Sequence, residues 1–567
     1  MVMDIIKNND FMNEESLVHI NLPEVGTITA PQGTTLLELS ERYADKYPLP
    51  IMVAQINNEL QDLTRKILYD CTVEFKDITD FNGYRTYQRG VLFMMIYAIK
   101  SILNKKTRVV VAHSVNKNYH CELPDFEGEI TDDLLLKVTD VMKSTAEKNM
   151  PIERISLPME KALKLAEEFG LDDKIKLLHY RHSHTVSFYK LDWLYNYFTD
   201  EMPPTTGRLN KFKLVKRGKG FILQFPDASL GYQLDEDIPE NRISEIFKES
   251  NQWARIMKAD TVAALNDTIC LHGSKSIIQV AEGLQEKKIA QLADQIHTEG
   301  KRIVFIAGPS SSGKTTFASR LGIQLRVNGM IPHVISLDNY YISRDICPRD
   351  EFGKLDLESI DAIDTAQICT DLKQLLEGND VPIPSFDFIA GRREYKGNSI
   401  KLSHRDVLII EGIHGLNLRI CEGINPGDTF KIFISALTQI NIDDHNRITT
   451  TDTRLLRRIV RDSQFRGYSA AQTIDIWPSV MRGETKYIYP NQSRADAFYN
   501  SALVYEMAIL KQYAVPLLYG INPEQPEYTE ARRLIKFLDP FLGISSENVP
   551  PNSILREFIG GGMFAGH

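Results

Sequence analysis

Arg302-Ile-Val-Phe-Ile-Ala-Gly-Pro-Ser-Ser-Ser-Gly-Lys-Thr315 is the stretch on which the reading of the fold turns. The apolar run Ile303 to Ala307 reads as a buried strand, and a helix is expected from about Thr316. Between them, Gly308, Pro309, Ser310, Ser311, Ser312, Gly313, Lys314 and Thr315 match GxxxxGK[ST] in full. The glycines let successive backbone N–H groups face phosphate oxygens, and the helix N-terminus adds its positive end. In this pattern Lys314 reaches the β and γ phosphates, Thr316 continues the cradle, and the Thr315 hydroxyl holds magnesium. The implied ligands are ATP and Mg2+.

Working outward, Val334-Ile-Ser-Leu337 reads as a second strand that delivers Asp338 at its C-terminal end, where doubly wound sheets place ligands. Asp338 is positioned to take the proton of an acceptor hydroxyl; an aspartate that caps a turn is the alternative. Val407-Leu-Ile-Ile410 reads as a third strand ending in Glu411, a magnesium carboxylate or, more plainly, a strand-end residue. From Asp452 to Gly467, Arg454, Arg457, Arg458 and Arg461 recur at spacings of three and four on one helix face, with Arg466 just beyond. Planar guanidinium groups suit the charge of a phosphoryl group in transfer, so Arg457 and Arg461 are assigned to catalysis and Arg458 and Arg466 to the nucleotide. A solvated helix face is the other reading of such a run.

A chain of 567 residues exceeds one ordinary core, and about three to four domains are expected. Hydrophobic and charged fractions of 43% and 25% are those of a soluble globular protein. A formal charge of -9 argues against a nonspecific nucleic-acid coat. The six cysteines form no CxxC pair, which fits reduced thiols and neither a disulfide frame nor structural zinc. No signal-peptide pattern and no run of membrane-spanning length occur, so a cytoplasmic protein without membrane contact is expected.

The expected division is a β-grasp domain at 1–77, an α+β domain at 78–226, a mainly helical connector at 227–300, an α/β P-loop domain with a parallel sheet at 301–540, and a tail at 541–567. The glycines of Ile559-Gly-Gly-Gly-Met563 argue against a fixed fold in that tail.

Over about Lys301 to Pro540 these motifs resemble the uridine kinase and phosphoribulokinase superfamily, and most closely the uridine–cytidine kinases. The resemblance implies that Asp338 is the catalytic base, that Asp356 of Leu355-Asp356 grips a ribose, and that Phe386 of Ile383-Pro-Ser-Phe-Asp-Phe388 stacks on a base. It also implies substrate contacts from Ile413, Arg454 in the Asp-Thr-Arg run, and Gln472. Where that family reads the pyrimidine edge with a histidine, this chain has Gly391, followed by Arg392 and Arg393 as replacement contacts. A base other than, or wider than, a pyrimidine is expected.

About Leu17 to Phe225 resembles the TGS and editing domains at the front of threonyl-tRNA synthetases, on Ala98-Ile-Lys100, Asn118-Tyr-His-Cys-Glu122 and Pro204-Thr-Thr-Gly-Arg-Leu-Asn-Lys-Phe-Lys-Leu214. Aligned with the editing motifs, Phe93, Tyr97, Phe198 and Met202 stand where that family carries its histidines and cysteine. Deacylation and catalytic zinc are therefore not expected, and the cleft is expected to be packed core. His179, His182 and His184 are the one histidine cluster, with His182 and His184 expected on a single strand face.

Two readings of the whole remain. One is an ATP-dependent kinase of a nucleoside 5′-hydroxyl, or of another small alcohol or sugar phosphate, behind a regulatory front half. The other is a nucleotide-switched protein whose front half contacts RNA. A homo-oligomer is compatible with either.

Overall fold

The computed structural model describes residues 16–564 apart from 116, 182, 236–248, 250, 251, 388, 389 and 439. Contacts divide the chain into two units. The first comprises Met1–Pro239, Ile442–Arg447 and Ile521–Phe537; the second comprises Glu240–Asn441, Ile448–Gly520 and Leu538–His567. The sequence at 301–540 thus contributes two short segments to the first unit.

The first unit begins with strands β1 (Leu17–Leu22) and β2 (Gly26–Pro31), helix α1 (Leu36–Arg42), and strands β3 (Ile51–Ile56), β4 (Glu59–Gln61) and β5 (Cys71–Asp77). They form a sheet ordered β2-β1-β5-β3-β4, in which β1 and β5 are parallel at the centre. Alternate residues Val18, Ile20 and Leu22 bury one face of β1, as a half-buried strand requires. α1 is fixed at its start by reciprocal hydrogen bonds between Thr35 and Glu38.

Helix α2 (Phe81–Ile102) follows, capped by Asp80. After it come β6 (Val110–Val115), β7 (Asn118–Glu122), α3 (Asp132–Glu147), β8 (Ile152–Pro158), α4 (Met159–Glu168), α5 (Asp172–Leu178), β9 (Thr185–Leu191), β10 (Leu194–Asn196), β11 (Lys213–Arg217) and β12 (Gly220–Gln224). These strands make two antiparallel sheets, β10-β9-β8 and β11-β12-β7-β6. Phe93, Phe198 and Met202 are buried, and the Phe93 and Phe198 rings meet edge-on at 5.3 Å. Tyr97 is only half-buried and donates to the Asp192 carboxylate at 3.0 Å. The Ile442–Arg447 segment adds His445, whose ring lies 6.3 Å from that of Phe198 and whose Nδ1 meets the Asn196 amide at 3.1 Å. The expectation for the histidine cluster changes: β9 starts at Thr185, so His184 precedes the strand, and His182 lies outside the described residues. Among the described residues no three or more His, Cys, Asp or Glu side chains come together as a metal-binding group.

In the second unit, α6 (Val262–His272) and α7 (Ser274–Thr298) precede β13 (Ile303–Ala307). β14 (Ile331–Ser336), β19 (Asp406–Glu411), β20 (Thr429–Ser435) and β21 (Ala497–Asn500) join β13 in an all-parallel sheet ordered β14-β19-β13-β20-β21. β13 and β19 are buried at every residue, the pattern of central parallel strands covered on both faces. Helix α8 (Lys314–Val327) returns from β13 to β14 and begins two residues earlier than expected. α9 (Thr365–Leu376) and the short hairpins β15 (Asp380–Pro382) with β18 (Ser399–Lys401) and β16 (Ser385–Asp387) with β17 (Arg392–Glu394) lie between β14 and β19. α10 (Thr450–Phe465), α11 (Ala470–Gly483) and α12 (Glu506–Tyr519) flank β21 in sequence.

The tail departs from its expectation. It carries the helix α13 (Arg556–Ile559), with Ile554, Leu555 and Phe558 fully buried. Burial of three large apolar side chains fixes a backbone that its glycines alone would leave free; Gly560, at φ +82°, supplies the left-handed stop after the helix.

Candidate active site

The site is built at the C-terminal edge of the parallel sheet. β13 ends at Ala307 and the chain turns sharply into α8. Gly308 is required there, since a Cβ would sit 2.2 Å from the Ile434 carbonyl oxygen. Gly313 at φ +86° and Ser311 at φ +60° take the left-handed conformation, a strained one for serine. The Ser311 and Ser312 hydroxyls are buried without a protein partner. A tight turn, a strained serine and orphaned hydroxyls at a helix N-terminus fit a nucleotide phosphate. Lys314 Nζ folds back on the loop, donating to the Gly308 and Pro309 carbonyls at 3.1 and 3.2 Å. Thr315 follows in the first turn of α8, the position from which its hydroxyl would hold magnesium.

Glu411 is the last residue of β19 and lies in register with both Ser336 of β14 and Ile306 of β13. Asp338 follows β14 in a short 3-10 turn, Leu337–Tyr340. Burial pushes the Glu411 carboxyl up to about 7, with the Asp338 charge adding to the rise and Lys314 and the Ser336 hydroxyl opposing it. Burial likewise raises Asp338, against the pull of Lys314, Arg466 and Arg461. The Lys314 charge thus acts on both carboxyls, and the Asp338 charge acts on Glu411.

α10 supplies the arginines, and they divide by function of place. Arg454 and Arg457 are fully buried. Arg454 makes a two-pronged pair with Glu484, one prong at 2.8 Å, and donates to the Ser310 carbonyl at 3.1 Å. Arg457 pairs with Glu506 at 2.6 Å and donates to the Ser311 carbonyl at 3.3 Å. Both therefore brace the phosphate loop through its carbonyls. Arg458 donates to the Ser310 hydroxyl at 3.0 Å and pairs with Asp462 at 3.1 Å. Arg461 also pairs with Asp462, at 2.7 Å, while the exposed Arg466 contributes with it to the field at Asp338.

On the acceptor side Phe386 is buried in β16, with its ring 5.7 Å from that of Tyr341. Asp356 accepts from the Tyr487 hydroxyl at 3.2 Å, and Ile413 packs against the core of Ala307, Leu416, Phe433, Ile488 and Ala495. Four groups assigned to the substrate from the sequence have other partners: Arg454, held by Glu484 and the Ser310 carbonyl as above, and three more. Gln472 caps α11 through the Ser469 amide at 2.8 Å, Arg392 is exposed beside Glu394 at 3.4 Å, and Arg393 pairs with Asp364 at 2.8 Å. The side chain next to Gly391 is Arg344, whose Cδ would lie 2.7 Å from a Cβ at that glycine.

Glu358 was not visible as a site residue. Burial pushes it up to about 7, helped by Glu484 and opposed by Arg458 and Lys314, so it belongs to the same charged cluster. Its only sequence signal is closeness to Asp356. Glu484 and Glu506 gave no signal, lying 30 and 49 residues from their arginines. Asp462 could have been found as the i+4 partner of Arg458.

Residues 303–504 match the phosphoribulokinase / uridine kinase family. A uridine kinase of Macrococcus caseolyticus is 32% identical over 195 residues, covering 34% of this chain and 85% of that protein. A uridine kinase of Lactobacillus johnsonii is 30% identical over 195 residues, covering 34% of this chain and 83% of its own length. The N-terminal half is similar to the threonine–tRNA ligase of Acetivibrio thermocellus, 23% identical over 200 residues, which are 35% of this chain and 31% of that ligase. The chain thus spans less than a third of the ligase's length. No helix among the described residues is long and apolar enough to cross a membrane. With its phosphate loop, paired carboxyls and arginine helix on one parallel sheet, the chain belongs to the phosphoribulokinase / uridine kinase family and is a P-loop kinase fused to a region similar to threonine–tRNA ligases.

Proposed function

We propose that the protein transfers the γ-phosphoryl group of ATP to the 5′-hydroxyl of a nucleoside. The observation that carries this reading is that Asp338, just past the end of β14, and Glu411, at the end of β19, both lie within the field of Lys314. Arg461 and Arg466 also act on Asp338, and the Tyr341 ring, which feels the Asp338 charge, lies 5.7 Å from that of Phe386. Asp338 orients the acceptor hydroxyl and takes its proton while the oxygen bonds to phosphorus and ADP leaves. Its raised affinity for a proton, from burial, suits a base that need only be ionised near neutrality. Thr315 and Glu411 would hold magnesium, whose charge offsets that of the phosphates. Phe386 and Tyr341 offer aromatic faces to a base, and Asp356 accepts from hydroxyls, as its bond from Tyr487 illustrates.

Gly391 leaves the base edge to a flexible neighbour, Arg344, so purine nucleosides are expected among the acceptors. The test is phosphoryl transfer from labelled ATP to a panel of nucleosides, vitamins and sugar phosphates. Labelling of a nucleoside 5′-position supports the reading; labelling confined to sugar phosphates or other alcohols defeats it. Strict preference for uridine and cytidine would defeat only the inference from Gly391.

A further inference from the structure

The phosphate loop of this chain is covered by its own C-terminal segment. The backbone N–H of Thr316, in the first turn of α8, donates to Glu557 Oε2 at 3.1 Å. N–H groups of that first turn have no partner within the helix, and in a phosphate loop they face the anion. A carboxylate of this chain holds one of them. Ile554 seals the adjacent surface, for a Cβ on Gly313 would come within 2.5 Å of its Cγ2. The charge of Glu557 also reaches Glu411 and Arg461, so the carboxylate lies within the field of the catalytic cluster.

The covering segment is anchored. Leu555 and Phe558 are fully buried, and the Arg457 guanidinium stacks over the Phe558 ring at 5.0 Å. The Ser553 hydroxyl donates to Glu282 of α7, and Arg556 closes back on the Val549 and Ser546 carbonyls at 2.7 and 2.9 Å. Beyond α13, Gly560 and Gly561 both take positive φ, which ends the anchored stretch abruptly. All of these groups belong to the second unit.

We propose that Glu557 is an internal competitor of the nucleotide: its carboxylate occupies an anion seat of the phosphate loop and must be displaced before a nucleotide phosphate can take the Thr316 amide. Two anions cannot share one N–H donor at hydrogen-bond distance without strong repulsion. The tail thereby sets the affinity for ATP, and nucleotide binding loosens the segment from Val549 to Gly560. The proposal requires nucleotide binding at the phosphate loop and is independent of the identity of the acceptor.

The experiment measures binding of Mg-ADP, without acceptor, to the full chain and its Glu557→Ala and Glu557→Gln variants by calorimetry. Removing a competing charged hydrogen bond is expected to tighten binding about tenfold for Glu557→Ala, and less for Glu557→Gln, which can still accept the amide. Unchanged or weaker binding in both variants overturns the proposal, and weaker binding would make Glu557 part of the nucleotide site. Hydrogen exchange on the unaltered protein provides a second measurement that no folding defect can confound. Amides between Val549 and Gly560 should exchange faster with saturating Mg-ADP; equal or slower exchange overturns the proposal. A protein that passes both but phosphorylates no nucleoside would refute the acceptor reading alone.

Discussion

In the proposed reaction Lys314 and Asp338 stand on opposite sides of the transfer, and their substitutions should separate. Lys314→Ala removes the cation that meets the phosphates, so it should abolish transfer and weaken Mg-ATP binding by tenfold or more. Asp338→Asn should abolish transfer while leaving Mg-ATP binding within about twofold, because Asp338 serves the acceptor. Parallel measurements of turnover and ATP affinity check both; near-normal turnover by Asp338→Asn would remove it from the base role. His414 illustrates a residue the sequence leaves mute. Burial lowers its pKa to about 4, with Arg419 and Lys314 acting in the same direction and the backbone of Glu358 and Ser359 opposing. Its folded pKa lies below the unfolded value of 6.5, so its contribution to stability is complete above pH 6.5 and is lost as pH falls toward 4. The melting temperature of His414→Gln should therefore fall less steeply than that of the unaltered protein between those values. Parallel slopes would show that His414 does not titrate in this window.

At the scale of the element, α10 was legible as an arginine-bearing helix because Arg454, Arg457, Arg458 and Arg461 share a face at spacings of three and four. What each arginine does was not legible. Two of the four face buried glutamates from distant parts of the chain, a relation fixed by packing and invisible to local spacing. Arg454→Ala leaves Glu484 buried without its partner and should cost about 3–5 kcal/mol, measured by urea unfolding. The double variant Arg454→Ala with Glu484→Ala should lose less than the sum of the two single changes. A cost below about 1 kcal/mol for Arg454→Ala, the range of a surface pair, would mean that the buried pair is not bracing the loop. The tail helix makes the complementary point: the glycines after Ile559 argued against order in the tail, yet the stretch just before them is held by three buried apolar anchors, Ile554, Leu555 and Phe558.

At the scale of the molecule, the chain leaves the second unit after Asn441, contributes Ile442–Arg447 to the first, and returns just ahead of α10. In the first unit this segment is held by charge. Lys174 and Asp443 are both fully inaccessible and meet at 2.7 Å, and Asp443 also accepts from the His445 and Asn446 amides. Arg108 reaches Asp444 with two hydrogen bonds at 2.7 and 2.9 Å. Lys174→Met should destabilise the protein by about 3–5 kcal/mol in urea unfolding, because it strands a buried carboxylate. A loss of less than about 1 kcal/mol would show that Asp443 is relieved by protonation or water. By itself the sequence determined the P-loop and the order of strands and helices around it, since both rest on residue types at short fixed spacings, which survive without knowledge of any contact. It also determined that Phe93, Tyr97, Phe198 and Met202 offer no general base at neutral pH, because that follows from side-chain chemistry alone. Only the tertiary structure decided which carboxylates brace the arginines, that a loop of the kinase sequence belongs to the N-terminal unit, and that Glu557 lies on the phosphate loop. Those pairings join residues far apart in sequence, and their selection depends on burial and geometry, which local pattern does not encode.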